Sequence, residues 1–322
     1  MFDYSSTIIM SVRADKSEDI VDRVILEMSD AKPRSKADLK CAPGREFEAG
    51  SCISLVVLEG MAKAYNKNAD KDAIVLSNNL SVLNPKKYKL YLVHELDRRM
   101  GDKCETQKCW SKQEFIRYMD RSARDELLKY TFRPDSQQGR FDWLGTFDIN
   151  ESMRQYENKF KDFKFFGANP MDFADIKSEI NGVDYERLYK SGVTKLGIIF
   201  NLDEHYKPGS HWVAMFTDLA EGNIFYFDSF GVKPEKRVRA LMRKQSRYLT
   251  EGQGMELSKV KVDYNKTQHQ KLNTECGVYS MNFLIRMARG DDFDKLCDTP
   301  VSDGEMNKCR KVYFDKYTKK RV

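Results

Sequence analysis

One cysteine near the C-terminal end of the chain carries the strongest chemical signal in the sequence. Cys276 directly precedes a long apolar run, residues 277–288, and follows turn-forming and helix-starting residues. We therefore expect it at a helix N-terminus, where the positive end of the helix macrodipole favours the thiolate. Because the thiolate is the reactive form of cysteine, this position suits a nucleophile. Taken alone, the residue would more often be a buried structural thiol.

A nucleophilic cysteine requires a base, and the chain has only four histidines. His211 begins a predicted strand, and a second strand follows a turn at Ala220 and Glu221, which is typical of a hairpin. In a hairpin with this centre, Asp228 lies opposite Val213 and diagonal to His211 on the same face. The carboxylate would then orient the imidazole and stabilise the imidazolium, as the third member of a catalytic triad does.

Together these residues resemble the ubiquitin-like-protein-processing cysteine proteases, a superfamily that includes the adenovirus protease. Its pattern is His-Trp, then Asp-Ser, then Gln followed six positions later by Cys-Gly. The chain carries this pattern in order and at matching separations, as His211-Trp212, Asp228-Ser229, Gln270 and Cys276-Gly277. The resemblance implies that Cys276 is the nucleophile, that His211 is general base and then general acid, and that Asp228 orients the imidazole.

The resemblance also assigns an oxyanion-hole donor. Gln270 would act with the backbone N–H of Cys276, and donors of this kind are each worth on the order of 3 kcal/mol. The neighbouring Gln268 lacks the six-position spacing of the family pattern. His269 lacks the following tryptophan and the downstream aspartate that accompany His211, so we assign it no catalytic role.

Two tryptophans and two upstream motifs extend the resemblance. In the superfamily, paired aromatics form a narrow tunnel that admits only a Gly-Gly tail, and Trp143 and Trp212 would take this place; the plain alternative is two core tryptophans. The branch from large cytoplasmic DNA viruses carries Trp-Leu-x-Thr-x-Asp-Ile and then Gly-Ala-x-Pro-x-Asp-Phe. Residues 143–149 and 167–173 match these two motifs.

Hydrophobic periodicity divides the chain at a turn-rich stretch, residues 134–139. Residues 1–134 indicate a mostly helical accessory region, with helices predicted over 16–29, 51–65 and 86–100 and a capping box at Ser111 and Glu114. Residues 135–322 alternate helices and strands. Helices are predicted over 143–159, 172–190, 233–249, 276–290 and 302–317, and strands over 163–166, 196–202, 210–218, 223–228 and 260–264. The class is α+β. The resemblance implies a papain-like cysteine protease core of the adenain or ubiquitin-like protease type, a mixed sheet flanked by helices.

The composition sets limits on the environment of the chain. With 41% apolar and 12% aromatic residues, the chain is expected to fold, and its net charge of +6 permits nucleic-acid contact without requiring it. No apolar run approaches membrane-spanning length and no signal peptide begins the sequence. We therefore expect a soluble intracellular protein with no membrane partner.

The seven cysteines follow no regular framework, which favours free thiols in a reducing compartment. Cys41 and Cys52 are expected in the core. His94, Cys104 and Cys109 are an incomplete zinc-ligand set, so no metal and no other cofactor is expected.

These features predict a cysteine endopeptidase that cleaves protein substrates after Gly-Gly. The viral branch implies that it matures structural polyproteins during virion assembly, in the cytoplasm of the infected cell and in the virion. Three alternatives remain: an isopeptidase of deubiquitinase or deSUMOylase type acting on host conjugates, an acetyltransferase with a similar residue set, and an inactive binding module. A nucleic-acid or peptide activator follows only by analogy with the adenovirus protease.

Overall fold

The computed structural model describes residues 36–69 and 72–317. These residues form two compact units, which divide between Arg133 and Pro134. The helix predicted over 16–29 lies outside the described residues. Within the described part of the chain, every helix is too short or too polar to cross a membrane.

The first unit is helical. Its core collects around a strongly apolar helix, α1, which begins where the Ser54 side chain accepts a hydrogen bond from the Val57 N–H. The capping box predicted at Ser111 and Glu114 is wrong, because the Ser111 hydroxyl instead donates to the Lys108 carbonyl and a short 3₁₀ turn follows. The α-helices of this unit are α1 (Leu55–Asn66), α2 (Asn78–Leu83), α3 (Pro85–Met100), α4 (Gln107–Trp110) and α5 (Arg121–Tyr130).

Four of the cysteines form disulfides in this unit, so the expectation of free thiols is wrong for them. Cys41 is bonded to Cys52, and both are buried, as expected of core residues. Cys104 is bonded to Cys109. Because these two sulfurs are bonded to each other, neither is available to hold a zinc ion beside His94.

The second unit contains a five-stranded mixed sheet with the strand order β1-β2-β3-β4-β5. The outer pairs β1/β2 and β4/β5 are parallel, and the inner pairs are antiparallel, which confirms the predicted α+β class. Ala214 lies opposite Phe227, so the same register continued by one residue places Asp228 opposite Val213, as predicted. The strands are β1 (Phe163–Asn169), β2 (Lys195–Asn201), β3 (Trp212–Asp218), β4 (Asn223–Phe227) and β5 (Lys261–Tyr264).

Helices pack on both sides of this sheet, and α9 lies against β3. Only the end of the region 172–190, predicted as helical, forms a helix. The Asn181 side chain there donates to the carbonyls of Phe173 and Ile176, which stabilises turns in place of a helix. The helices are α6 (Thr146–Lys159), α7 (Tyr185–Lys190), α8 (Lys236–Arg247), α9 (Cys276–Arg289), α10 (Phe293–Asp298) and α11 (Asp303–Tyr313).

Candidate active site

Helix α9 and the β3–β4 hairpin bring Cys276 and His211 into contact. Cys276 is the first residue of α9, with only 2% of its surface exposed. His211 directly precedes β3, and its imidazole lies close enough to the Cys276 side chain for the two groups to interact. A residue at the start of a helix therefore meets a residue at the start of a strand, although about sixty-five positions separate them in the sequence.

Asp228 holds the other side of the imidazole. The His211 Nε2 lies 2.7 Å from the Asp228 Oδ1, which leaves Nδ1 for the thiol. The same carboxylate oxygen accepts a hydrogen bond of 2.9 Å from the Phe230 N–H. The Phe230 ring covers the imidazole, with the two ring centroids 4.9 Å apart. The imidazole of His211 therefore lies between the Cys276 thiol and the Asp228 carboxylate.

The environment of His211 favours its protonated form. Burial lowers the pKa of the imidazole, but the hydrogen bonds to Asp228 and Cys276 and the charges of these two groups outweigh burial. Together they raise the pKa of His211 from 6.5 to about 9. An imidazolium beside a thiol is the arrangement that activates a cysteine nucleophile.

A buried asparagine fixes the backbone of Asp228. Asn265 follows β5 and is fully buried. Its Oδ1 accepts a 2.8 Å hydrogen bond from the Asp228 N–H, and its Nδ2 donates to the Asp228 carbonyl at 2.7 Å and to the Thr267 carbonyl at 3.1 Å. The Asn265 side chain thus takes the place of a strand backbone and extends the hydrogen bonding between β4 and β5 by one residue, to Asp228. Nothing in the local sequence marked Asn265, because its partner lies 37 positions away.

Replacing Asn265 by alanine should weaken catalysis as well as stability. The change leaves buried backbone groups of Asp228 without partners, at about 1–3 kcal/mol each, and frees the carboxylate to move away from His211. We expect kcat/KM to fall by about 10- to 100-fold, because misplacement near 1 Å costs about that much. Peptidase assays and urea denaturation measure both effects. The control is Asn79→Ala, an exposed asparagine in α2, and equal kinetics for the two variants would contradict the assignment.

Gln270 is fully buried and its amide is held at both ends. The Oε1 accepts a hydrogen bond of 2.6 Å from the Ser229 hydroxyl, and the Nε2 donates one of 2.5 Å to the Leu272 carbonyl. One amide hydrogen is used in this way and the second is left for another acceptor. The two residues of the Asp-Ser pair therefore contact different partners: Asp228 contacts the His211 imidazole, and Ser229 donates a hydrogen bond to Gln270.

The two neighbours of Gln270 have structural contacts instead. The Gln268 Nε2 donates to the Gln270 carbonyl at 2.8 Å. His269 is buried, its Nε2 lies 3.0 Å from the Cys297 carbonyl oxygen, and burial lowers its pKa. It is a core histidine, away from the thiol–imidazole contact.

A buried ion pair fixes the residue before Cys276. The Arg310 Nε donates to the Glu275 Oε2 at 2.8 Å, and the two side chains are 0% and 3% exposed. The other carboxylate oxygen accepts a 2.9 Å hydrogen bond from Asn307. Arg310 also donates to the Thr274 carbonyl at 2.9 Å. Helix α11 therefore holds the start of α9 in place, a long-range contact that the local sequence did not indicate.

Replacing Arg310 by methionine should destabilise the chain by about 3–5 kcal/mol, because it leaves the buried Glu275 carboxylate without its counter-charge. Urea denaturation measures the loss. In the double variant Glu275→Gln with Arg310→Met, much of the loss should be recovered. The control is Arg154→Met, which breaks an exposed pair with Glu151 and should cost no more than about 1 kcal/mol. Equal losses for the two single variants would contradict this account.

Both predicted tryptophans line one cavity of about 410 Å³. Trp212 is buried, and its indole N–H donates to the Leu144 carbonyl at 2.9 Å. Trp143 is 44% exposed. Trp212 therefore serves both as a core residue and as a wall of the cavity, whereas Trp143 forms an open edge. Trp212 directly follows His211 in the sequence, and Leu144 and Trp212 of the cavity lining also pack against Gly277, the residue after Cys276.

The glycine of the Cys-Gly pair allows this close packing. A Cβ atom at Gly277 would lie 3.2 Å from the Leu144 Cβ and 3.3 Å from the Trp212 Cδ1. Both distances are tighter than ordinary van der Waals contacts. Glycine at this position therefore lets the first turn of α9 lie directly against the cavity wall, which places Cys276 beside Trp212.

The chain resembles known viral proteases over most of its length. A model of the "Ulp1 protease family, C-terminal catalytic domain" matches residues 152–321. A putative thiol protease of Acanthamoeba polyphaga mimivirus is 36% identical over 282 residues, 85% of this chain and 92% of that protein. A cysteine protease of African swine fever virus is 24% identical over 257 residues, 74% of this chain and 93% of that protein. The crystal structure of the African swine fever virus pS273R protease has the same fold, with a TM-score of 0.57 and 20% identity over 88% of this chain and 97% of that one.

The family match covers more than half of the chain. It includes the contacts among Cys276, His211 and Asp228 described above, and the relative from mimivirus extends the similarity into the first unit. The mixed sheet with its flanking helices agrees with this relationship. The chain belongs to the Ulp1 protease family, in the branch from large DNA viruses, and is a cysteine peptidase.

Proposed function

We propose that the chain is an endopeptidase that cleaves protein substrates after Gly-Gly, with Cys276, His211 and Asp228 as its catalytic groups. The observation that carries this proposal is the placement of the His211 imidazole between two groups: its Nε2 lies 2.7 Å from the Asp228 Oδ1, and the Cys276 side chain acts on the same ring. Trp212, next to His211 in the sequence, lines a cavity together with Trp143.

The reaction proceeds in two steps on these groups. The Cys276 thiolate attacks the scissile carbonyl carbon, and the new oxyanion is stabilised by the Cys276 backbone N–H and by the second amide hydrogen of Gln270. The His211 imidazolium donates its Nδ1 proton to the leaving amine, and the C–N bond breaks to give a thioester. In the second step, water attacks the thioester carbonyl while the neutral imidazole takes its proton. The C–S bond breaks, the carboxylic acid product leaves, and the thiolate–imidazolium pair is restored.

The shape of the site supports Gly-Gly as the preferred sequence. Trp143 and Trp212 line the same cavity, and at Gly277 a Cβ would already lie 3.3 Å from the Trp212 ring. We propose that the substrate passes between these two indoles, where a chain without side chains fits and a Cβ would collide with the aromatic rings. The two residues before the cleaved bond are therefore proposed to be glycines.

The proposed biological role is maturation of viral structural polyproteins. Two relatives that match this chain over most of its length are proteases of mimivirus and African swine fever virus. Virus particles that assemble from precursors require a protease that acts during assembly, so we place the enzyme in the cytoplasm of the infected cell and in the virion.

A second candidate function is an isopeptidase that removes ubiquitin-like proteins from host conjugates. The observation that favours it is the name of one relative, 24% identical, which is called a "SUMO-1 cysteine protease" of African swine fever virus. Tails of such proteins also end in Gly-Gly, so the same thiol and cavity would serve both substrates. The two functions differ in the protein that precedes the tail and in the bond that is cleaved, which is a main-chain peptide bond in a polyprotein and an isopeptide bond to a lysine in a conjugate.

One assay separates the two candidates. The full chain is incubated with peptides that contain an internal Gly-Gly-x site and, separately, with SUMO and ubiquitin fused to a fluorescent leaving group. Cleavage of the peptides with kcat/KM at least about tenfold above the fusions would support the endopeptidase. The reverse order would favour the isopeptidase, and no cleavage after Gly-Gly in either substrate would refute both. Adding double-stranded DNA to the reaction tests the activator suggested by analogy with the adenovirus protease.

A further inference from the structure

The segment between β2 and β3, residues 202–210, lines part of the cavity that Trp143 and Trp212 also line. We call this segment the wall loop. Six residues of the wall loop line the cavity, and they are Asp203, Glu204, His205, Lys207, Pro208 and Gly209. A substrate that enters the cavity must therefore pass this loop, and the chemistry of its side chains determines which residues are accepted upstream of the two glycines.

The wall loop is fixed in position by contacts at its start. The Asp203 N–H donates to the Asn201 Oδ1 at 2.9 Å, and the Asp203 carbonyl accepts from the Met171 N–H at 2.9 Å. The buried Asp172 accepts from the His205 N–H at 2.9 Å, and its second oxygen lies 2.5 Å from the His205 Nδ1. This gives the 167–173 motif a role, since its aspartate holds the wall loop. A fixed backbone presents its side chains in fixed places, as a specificity pocket requires.

Among the charged side chains of this wall, all but one have a partner. Glu204 lies 3.2 Å from Lys207 and 3.6 Å from Arg237, and His205 is paired with Asp172. In the described residues, the Asp203 carboxylate accepts no hydrogen bond and lies in no ion pair; its charge acts on Lys207, but the Lys207 ammonium group is bound to Glu204. Asp203 is partly buried and faces the cavity. A partly buried carboxylate in a fixed position is best satisfied by a cationic donor.

We propose that Asp203 is a specificity-determining residue, which favours substrates with lysine or arginine a few residues upstream of the Gly-Gly pair. The inference rests on the proposed Gly-Gly endopeptidase function and narrows its substrate class. A cationic side chain would form a charge-assisted hydrogen bond with Asp203, whereas a glutamate there would meet like charge. The preferred substrates are therefore basic just before the two glycines, and acidic sequences at that place are disfavoured.

The test uses the full chain and three sets of internally quenched peptides with the same Gly-Gly-x site. The third, fourth or fifth residue before the cleaved bond is lysine, glutamine or glutamate, one position at a time. The measured quantity is the lysine-to-glutamate ratio of kcat/KM. We expect a ratio of about 10 at one position for the wild-type chain, because a charge-assisted contact contributes about one factor of ten. The ratio should be near 1 in Asp203→Asn and below 1 in Asp203→Lys.

Each outcome of this test has a distinct meaning. The control Glu251→Gln removes an exposed carboxylate that does not line the cavity, and it should keep the wild-type ratio. Equal cleavage of all three peptides by the wild-type chain, or a ratio that persists in Asp203→Asn, would overturn the role of Asp203 and leave the Gly-Gly assignment intact. If the wild-type chain cleaves none of the peptides after Gly-Gly, the proposed function fails, and this inference fails with it.

Discussion

Replacing Cys276 by alanine is expected to reduce kcat/KM for a Gly-Gly-x peptide by at least about 10⁴-fold, since the nucleophile is lost and only binding and the oxyanion donors remain. The reason is that no other thiol reaches His211: Cys297 is a second buried free thiol, and it lies beside His269 instead. The fold should be unchanged, because a small buried side chain is replaced by another of similar size. Peptide cleavage and circular dichroism measure the two properties.

The matched control for this experiment is Cys309→Ala. Cys309 is a free, partly buried cysteine in α11, and it has no contact with the imidazole. Its replacement should leave kcat/KM within about twofold of the wild type, as is usual for substitutions away from the reacting groups. If Cys276→Ala retains cleavage comparable to Cys309→Ala, Cys276 is not the nucleophile.

Asp228→Asn should lower kcat by about 10³-fold and move the alkaline limb of the pH profile downward. In the wild type, the hydrogen bonds and charges of Asp228 and Cys276 raise the pKa of His211 to about 9 against the effect of burial. Activity should therefore fall as pH rises through about 9, where the imidazolium that protonates the leaving amine is lost. Without the carboxylate, burial dominates, the pKa decreases, and the decline should begin at lower pH. Profiles of kcat/KM from pH 5 to 10 test this.

The same shift predicts the pH dependence of stability. The pKa of His211 in the folded chain lies above its ordinary value of 6.5. Protonation therefore stabilises the fold fully below about 6.5, and this contribution is lost as pH rises through about 9. The loss should be smaller in Asp228→Asn than in the control Asp298→Asn, which changes an exposed carboxylate. If the pH profiles of kcat/KM for these two variants decline at the same alkaline pH, Asp228 does not act on His211.

Local patterns in the sequence were sufficient for the hairpin. A short turn between two alternating strands fixes which residues face one another, so the register that places Asp228 diagonal to His211 followed from the position of the turn. The start of α9 at Cys276 was also predictable, because a long apolar run begins there. Its end at Gly290 follows from the left-handed backbone of that glycine, with φ of 96°.

Long-range contacts could not be predicted in this way. Asn265 holds Asp228, and Arg310 holds Glu275 from 35 positions further along the chain. Such side chains look like ordinary polar residues until the fold places their partners beside them. The turns after β1 were missed for a related reason. A polar side chain such as that of Asn181 bonds to nearby carbonyls, and this competition is weakly encoded in hydrophobic periodicity.

The cysteines of the first unit show the limit of composition as evidence. An odd number of cysteines without regular spacing suggested free thiols throughout, yet Cys41 and Cys52 lie within bonding distance, as do Cys104 and Cys109. Pairing depends on the positions of the Cα atoms in the folded chain, which spacing alone does not give. Cys104 and Cys109, which the sequence offered as zinc ligands, are close in space because they are bonded to each other.

The most direct test of the account is to trap the nucleophile. The full chain is treated with a peptide that ends in Gly-Gly and carries an electrophilic group in place of the scissile bond, and the product is analysed by intact mass and peptide mapping. We predict a single adduct on Cys276, and about 10²-fold slower labelling in Asp228→Asn than in the wild type. An adduct on Cys297 or Cys309, or none in a preparation that cleaves Gly-Gly peptides, would contradict the assignment of Cys276 as the attacking group.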